Sequence, residues 1–208
     1  MSDTAMPATR RREATRQKLL DAAAQVFAEV GLDAASVESI CDRAGFTRGA
    51  FYSNFATKDE LMLALTERIA EEKIDAVTAR IESLRATGET FAPAEIVQRV
   101  LDVAIDEKMS ILLTSEIRTR AMRDAALAEA YLAWQAGIVD RVAGVILDLG
   151  RTYGLVPRLP PHEFAVLILQ QWEDTSAFAV MKGLDFTELC ALVNDRTARL
   201  ATALVDPA

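Results

Sequence analysis

The sequence predicts an all-α protein with an N-terminal three-helix head and a larger helical body, about nine helices in all. Apolar residues make up 51% of the 208 residues, while Gly and Pro contribute only 9 and 6. Ala, Leu, Glu and Arg dominate, and these residues favour helix over strand. Apolar residues also recur at three- and four-residue spacing along most of the chain, which is typical of helices with one buried stripe.

The first two helices are delimited by residues that commonly begin and end helices. The apolar spacing predicts a helix over residues 12–30, and Gly31 follows it as a helix-ending residue. Ser36 is then placed to cap a short second helix over residues 37–44.

A turn and a third short helix follow. Gly45 permits the turn, and Thr47 can cap a helix that extends to Phe55, with Phe51 and Phe55 one turn apart on its buried side. Two short helices joined in this way form a helix-turn-helix, which presents its second helix to the outside.

The outward side of the third helix carries residue types that read DNA. Arg and Asn are bidentate donors to base edges, Gly allows close approach of the backbone, and an Ala methyl can contact thymine. The segment 45–58 contains no carboxylate that would repel phosphate, and Lys58 adds a positive charge for a backbone phosphate. The predicted DNA-binding residues are Ser36, Thr47, Arg48, Gly49, Ala50, Tyr52, Ser53, Asn54 and Lys58.

The remaining helices form the predicted body. A capping-box pattern from Thr57 to Glu60 begins a fourth helix of roughly 27 residues, which can connect head and body. We therefore place a DNA-binding domain at 10–57 and a ligand-binding and dimerisation domain at 58–206. Further helices are predicted at 94–107, 109–122, 125–153, 162–182 and 185–205, with a Gly- and Pro-containing break at 154–161.

The charge distribution directs any nucleic acid to the head. The net charge is −8, but residues 1–58 hold eight Arg/Lys against seven Asp/Glu, and the rest of the chain is strongly acidic. Arg10, Arg11 and Arg12 are consistent with an arm that contacts the minor groove or phosphates, and equally with a solvated tail.

Several function classes lack the residues that they need. One His (His162) and two separated Cys residues (Cys41 and Cys190) leave little material for a metal site or a catalytic relay, and no Gly-rich phosphate loop is present. We therefore predict no catalytic residue, no metal and no cofactor. The apolar run 164–169 is far short of the ~20 residues that span a bilayer, so we expect no membrane association and a cytoplasmic protein.

The body has candidate residues for a small-molecule effector site. Met109, Met122, Tyr131, Trp134 and Trp172 are predicted to line a cavity between the fourth helix and the later helices, although aromatic residues at such positions also form plain core. Scattered polar residues in an apolar body favour a mostly hydrophobic effector with few polar groups. These polar residues are Arg118, Gln135, Gln171, Glu173 and Asp174.

The last two helices predict self-association. They are apolar over more than one face, and such helices need partners on both sides, which a two-fold four-helix interface provides. The predicted interface residues are Phe164, Ile168, Leu189, Val193 and Leu200.

The first third of the chain resembles the TetR family of bacterial transcriptional regulators. The resemblance covers about residues 16–65, and it is carried by Leu19-Leu20-x-Ala22-Ala23, Phe27, Gly31, Ser36-Val37, Ile40, Ala44-Gly45, Thr47-Arg48-Gly49, Phe51-Tyr52, Phe55, Lys58 and Glu60-Leu61. It implies a three-helix DNA-binding head, a fourth helix that couples the head to a ligand-binding body, and a homodimer formed mainly by the last two helices. Ser53 and Asn54 depart from the aromatic residue and His that often follow the Tyr in the family, so the operator bases cannot be copied from a relative.

These observations favour a homodimeric repressor that leaves a palindromic operator in double-stranded DNA when it binds a small-molecule effector. Two alternatives stay open. One is a small-molecule-binding or enzymatic helical protein that retains the head, and the other is a ligand-independent or activating regulator.

Overall fold

The predicted all-α class is confirmed in a computed structural model that describes residues 8–89, 91, 93–101 and 108–207. These residues divide into two compact units, which meet in sequence at Glu67 and Arg68. We refer to them as the head unit and the body unit. The described helices are α1 (Ala8–Val30), α2 (Val37–Ala44), α3 (Arg48–Tyr52), α4 (Lys58–Ala86), α5 (Pro93–Leu101), α6 (Lys108–Ala121), α7 (Ala125–Tyr153), α8 (Pro161–Met181) and α9 (Phe186–Ala203).

Two predicted helix boundaries are wrong. α1 begins at Ala8 rather than at residue 12, so the three consecutive arginines lie in its first turns. α3 ends at Tyr52 rather than at Phe55. The predicted helix over 94–107 begins at Pro93, and its residues 102–107 lie outside the described residues.

The head unit has its own apolar core. Residues from α1, α2, α3 and the start of α4 contribute fully buried side chains, which include Leu19, Phe27, Ile40, Phe51, Phe55 and Leu61. Val30, the last residue of α1, does not belong to this core, because it is 53% exposed. Gly31 follows with φ 83°, a left-handed conformation that glycine adopts without strain.

The body unit has two apolar clusters. The first combines residues of α4, α5, α8 and α9, namely Ile81, Leu84, Ile96, Val100, Phe164 and Ala201, together with Leu155 and Val205. The second lies between α6, α8 and α9 and contains Ile111, Ala179, Leu189 and Val193.

A short antiparallel strand pair was not predicted. β1 (Leu155–Pro157) pairs with β2 (Val205–Pro207), with Val156 opposite Asp206. Leu155 and Val205 are buried in the first cluster, and Arg158 next to β1 forms an ion pair with Asp206. Three-residue strands are too short to show an alternating pattern, so periodicity could not reveal them.

α7 is the most weakly covered long helix of the body unit. It is the one described helix that is long and apolar enough to cross a membrane by length and composition alone, and core helices of other proteins meet the same criterion. Only 11% of its apolar window is buried within the chain. Its exposed large apolar side chains are Leu132 and Leu147, at 60% and 42%.

Candidate nucleic-acid interface and body pocket

The turn between α2 and α3 is fixed by its flanking caps. The Ser36 hydroxyl accepts a hydrogen bond from the Ser39 amide and the Ser39 hydroxyl accepts one from the Ser36 amide, so the predicted N-cap is confirmed and forms a reciprocal capping box. Gly45 ends α2 with φ 71° and donates to the carbonyls of Asp42 and Cys41. Thr47 then caps α3, since its hydroxyl accepts from the Ala50 amide.

α3 stops at Tyr52 because the next two side chains compete for a helical carbonyl. Ser53 Oγ and Asn54 Nδ2 both donate to the Ala50 carbonyl, each at 2.8 Å. Side chains of this kind offer backbone groups an alternative to the helical ladder. Phe55 still packs inward, with its ring centroid 5.8 Å from that of Phe51.

The exposed face of α3 presents a cationic and aromatic pair. Arg48 is exposed, and its guanidinium carbon lies 5.9 Å from the centroid of the Tyr52 ring, which is 49% exposed. The Tyr52 hydroxyl first, and then the Glu38 carboxylate, raise the pKa of Arg48 above its ordinary value. Arg48 Nη1 lies 2.5 Å from Glu38 Oε1 on α2. The sequence did not predict that Glu38 would pair with Arg48, the main candidate for reading bases.

Gly49 lies on the same exposed face, and nothing in the fold requires a glycine there. A Cβ at this position would meet the Thr47 hydroxyl oxygen at 3.7 Å, an ordinary van der Waals distance. Its φ is not in the left-handed region. The fold would therefore accommodate a small side chain at this position.

Two predicted DNA-contacting residues are placed differently from the expectation. Asn54 does not point outward, because its side chain is 9% exposed and donates to the Ala50 carbonyl. Lys58 does not extend from the start of α4, because its Nζ donates to the carbonyls of Leu32 at 2.5 Å and Ala35 at 2.7 Å. Both side chains serve the fold of the head unit in this structure.

The other predicted DNA-binding residues lie at the surface or half-buried. Ser36, Thr47 and Ser53 are exposed, and Ala50 is half-buried. Their contacts with DNA stay a prediction.

α1 braces the chain segment that follows α3. Arg12 Nη2 donates to the Ser53 carbonyl at 3.0 Å, and the Arg16 guanidinium carbon lies 4.6 Å from the centroid of the Phe55 ring. Arg12 therefore has a structural contact that neither sequence-based alternative included. Its partner is a backbone carbonyl 41 residues away, and such contacts leave no local sequence signal.

A pocket of about 170 Å³ lies between α6 and α8 in the body unit. Its walls include Ile111, Arg118, Met122, Trp172, Glu173 and Ser176. Arg118 Nη1 lies 3.3 Å from Glu173 Oε2 across the pocket wall. Burial raises the pKa of Glu173 above its ordinary value, although Arg118 opposes the shift.

The buried Tyr131 of α7 lies near this ion pair and is paired with the half-buried Trp134. The ring centroids of Tyr131 and Trp134 are 5.3 Å apart. Burial and then the charge of Glu173 raise the pKa of Tyr131 to about 12, and Arg118 partly offsets them. Tyr131 Oη and Trp134 Nε1 are buried and have no hydrogen-bond partner among the described residues.

The predicted effector residues are thus only partly brought together. Met122 and Trp172 line the α6–α8 pocket, Tyr131 and Trp134 lie close to its ion pair, and the half-buried Met109 is not in its wall. No residue of α4 lines this pocket, contrary to the predicted position of the cavity. A separate groove of about 250 Å³ lies between α4 and α7, and it contains none of the five residues.

Three of the five residues predicted for the dimer interface are buried within the chain itself. Phe164, Leu189 and Val193 are 4%, 3% and 0% exposed, because they form the chain's own apolar clusters. Ile168 and Leu200 are half-buried. Apolarity on several faces of α8 and α9 is therefore explained largely by packing within one chain.

A capped α2–turn–α3 unit with an exposed Arg48 and Tyr52 defines a helix-turn-helix protein of the DNA-binding class. Residues 19–65 match the family described as bacterial regulatory proteins, tetR family. This match shows that the head of the chain contains a DNA-binding domain of the tetR type.

Similar proteins agree with this assignment. The chain is 35% identical over 95 residues to the HTH-type transcriptional regulator YvdT of Bacillus subtilis, an alignment that covers 46% of this chain and 44% of YvdT. It is 36% identical over 87 residues to the HTH-type transcriptional activator FasR of Mycolicibacterium smegmatis, which covers 38% of this chain and 40% of FasR. The matched segment thus spans less than half the length of each relative.

The whole fold also resembles solved structures. The regulator FadR from Bacillus subtilis, in complex with stearoyl-CoA, superimposes with a TM-score of 0.68 over 90% of this chain and 98% of FadR, at 19% sequence identity. At this identity the likeness concerns the fold.

Proposed function

We propose that this protein is a homodimeric transcriptional repressor, which binds a palindromic operator and is released by a small, mostly hydrophobic effector. The observation that carries the proposal is the exposed face of α3, where Arg48 and Tyr52 flank a Gly49 that the fold does not require. Arg can read guanine in the major groove, and Tyr can contact a phosphate. A regulator with this function works where the chromosome lies, which is the bacterial cytoplasm.

In this proposal, each head unit of a dimer inserts its α3 into the major groove. The two half-sites then lie about 34 Å apart, one turn of the double helix. An effector bound in the body unit favours an arrangement of α4 in which the two heads no longer match successive grooves. It can shift the equilibrium only by the ratio of its affinities for the two arrangements.

The α6–α8 pocket is the proposed effector site. It is concave, it has an apolar side formed by Ile111, Met122 and Trp172, and it holds a few polar groups, as small-molecule sites do. The similar fold of FadR holds stearoyl-CoA, which supports a ligand-binding role for a body of this kind.

Exposed apolar side chains on α8 support the proposed dimer. Leu167, Phe178 and Met181 are 39%, 37% and 79% exposed, and their spacing places them on one side of the helix. With the uncovered surface of α7, they offer an apolar face for a second copy of the chain. Light scattering should give a dimer at micromolar concentration, and Leu167→Glu should shift it towards monomer. Leu112→Glu, at a similarly exposed leucine of α6, is the matched control.

DNA binding separates this function from the alternative of a small-molecule-binding protein that retains the head. Fluorescence anisotropy with DNA from upstream of its own gene should give a nanomolar Kd, at least 10³-fold tighter than that for scrambled DNA. Equal affinity for both DNAs would refute a specific regulator.

The direction of regulation needs a separate test, because one relative is an activator. A reporter gene under the bound promoter should rise when the regulator is deleted. A fall in expression would identify an activator instead.

A further inference from the structure

One hydrogen-bond donor in the wall of the α6–α8 pocket is satisfied by no described residue, and a second such donor lies near the wall, on α7. Ser176 lies in its wall and is 3% exposed, and its Oγ has no partner among the described residues. Tyr131 is 4% exposed, and its Oη also lacks such a partner. The charges of Glu173 and Arg118, both in the wall, act on the pKa of Tyr131. A buried polar group without a partner destabilises the protein, so a ligand that satisfies these groups gains affinity.

The ligand must carry a group that accepts hydrogen bonds from these donors. Because its pKa is raised to about 12, the Tyr131 hydroxyl stays protonated at neutral pH and has a proton to donate. The neighbouring Trp134 Nε1, buried and equally without a described partner, can only donate. An oxygen acceptor on the ligand is the complement of these groups.

The charges in the wall disfavour ionic ligands. Arg118 and Glu173 pair with each other, and Asp174 adds a negative charge. An anion would face two carboxylates. A cation would be attracted by these carboxylates, but it could not accept a hydrogen bond and would leave the donors unsatisfied. A pocket of about 170 Å³ is also smaller than the ~300–1,000 Å³ typical of sites for drug-sized ligands, so the ligand that it encloses is small.

We infer that the effector is a small uncharged molecule with an apolar body against Trp172 and Met122 and an oxygen acceptor for Tyr131 and Ser176. The inference rests on the proposed effector function of this pocket. It excludes carboxylates and quaternary ammonium compounds as the preferred class.

Four benzene derivatives of similar size test this ligand class. Acetophenone carries an oxygen acceptor, ethylbenzene carries none, benzoate is an anion and phenyltrimethylammonium is a cation. In isothermal titration calorimetry with the full chain, acetophenone should bind at least tenfold more tightly than each of the other three. A charged compound that binds most tightly, equal binding of all four, or no binding at millimolar concentration would overturn the inference.

Variants test the assigned donors. Tyr131→Phe and Ser176→Ala should each weaken acetophenone binding about five- to tenfold and leave ethylbenzene binding unchanged. Tyr153→Phe is the matched control, since Tyr153 is another tyrosine with a buried hydroxyl that lacks a described partner, and it packs against the first cluster of the body unit. Circular dichroism checks that each variant folds. If Tyr131→Phe does not fold, the binding measurement with Ser176→Ala tests the assignment.

Unchanged acetophenone binding in a folded donor variant would refute the assignment. Operator binding without ligand is measured separately by anisotropy. If the protein does not bind the operator, the proposed function as a regulator is refuted, but the order of affinities for the four probes still tests the ligand class.

Discussion

Arg48 and Glu38 form an ion pair on the surface of the head unit, with Arg48 Nη1 2.5 Å from Glu38 Oε1. Both side chains are more than half exposed, so the pair contributes at most about 1 kcal/mol to stability. Its larger effect is expected in binding. The Glu38 carboxylate orients the guanidinium and would repel phosphate, so we expect Arg48 to leave this carboxylate when it binds a base edge.

Glu38→Gln should therefore increase affinity for scrambled DNA severalfold and reduce discrimination between operator and scrambled DNA. The Gln side chain keeps the shape but removes the charge that restrains Arg48 and repels phosphate. Glu29→Gln is the matched control, because Glu29 forms a similar ion pair with Arg43 and its loss changes the net charge equally. If anisotropy gives the same result for both variants, the effect is one of net charge and the role of Glu38 is refuted.

Arg48→Ala and Tyr52→Phe should fail differently. Arg48→Ala should cost about 1–3 kcal/mol of operator binding and relax the sequence preference at one or two positions of each half-site. Tyr52→Phe removes a hydroxyl suited to a phosphate, so it should weaken binding equally across operator variants. Kd values against a set of single-base operator variants decide this. A uniform loss for Arg48→Ala would contradict its base-reading role.

Gly49→Ala should separate binding from stability. Because the fold has room for the methyl group and an alanine is the better helix former, the variant should be as stable as the parent protein, or up to about 1 kcal/mol more stable. Operator binding should be lost, since the methyl group blocks close approach of the backbone to DNA. Thermal denaturation and anisotropy on the same sample measure the two effects, and retained operator affinity would remove Gly49 from the interface.

The structure changes the expected effect of Lys58. Lys58→Met removes an ammonium group that donates to two backbone carbonyls, so we expect a loss of stability of about 1–3 kcal/mol. The slope of log Kd against log salt concentration should stay constant. If Lys58 instead binds a phosphate when DNA is present, as the sequence suggested, the slope would change by about 0.9 for each subunit.

Local signals predicted the head unit well. Ser36, Gly45 and Thr47 act within three or four residues along the chain, so caps and turns were readable without a structure. Asn54 was misplaced because its position depends on where α3 ends. A helix continued to Phe55 would leave Asn54 on the flank, whereas the hydrogen bond to the Ala50 carbonyl turns it inward.

The body unit was less predictable because its features depend on distant partners. Burial requires apolar side chains both in the core of one chain and in an interface between two copies. The periodicity that includes Phe164, Leu189 and Val193 therefore does not distinguish core residues from interface residues. The Arg118–Glu173 pair joins residues 55 positions apart, on helices whose contact the sequence does not specify. The sequence indicated some of the residue types that line the α6–α8 pocket, but it did not show which residues its walls bring together.

Glu173→Gln should stabilise the protein at neutral pH even though it breaks the ion pair with Arg118. Burial is the largest influence on Glu173 and raises its pKa in the folded state above the ordinary value, so the fold favours the protonated form. The stabilisation from this protonation is fully present below the unfolded-state pKa and is lost as pH rises through the raised folded-state pKa.

Gln imitates the protonated form of Glu173 at every pH. The gain in stability of Glu173→Gln over the parent protein should therefore be present at pH 7 and should shrink as the pH falls below the pKa of an ordinary glutamate. Urea unfolding at pH 7 and pH 4 measures the difference, with Glu116→Gln as the control, because Glu116 also pairs with an arginine of α6. A Glu173→Gln variant that is less stable than the parent protein at pH 7 would show that the attraction to Arg118 outweighs the cost of burial.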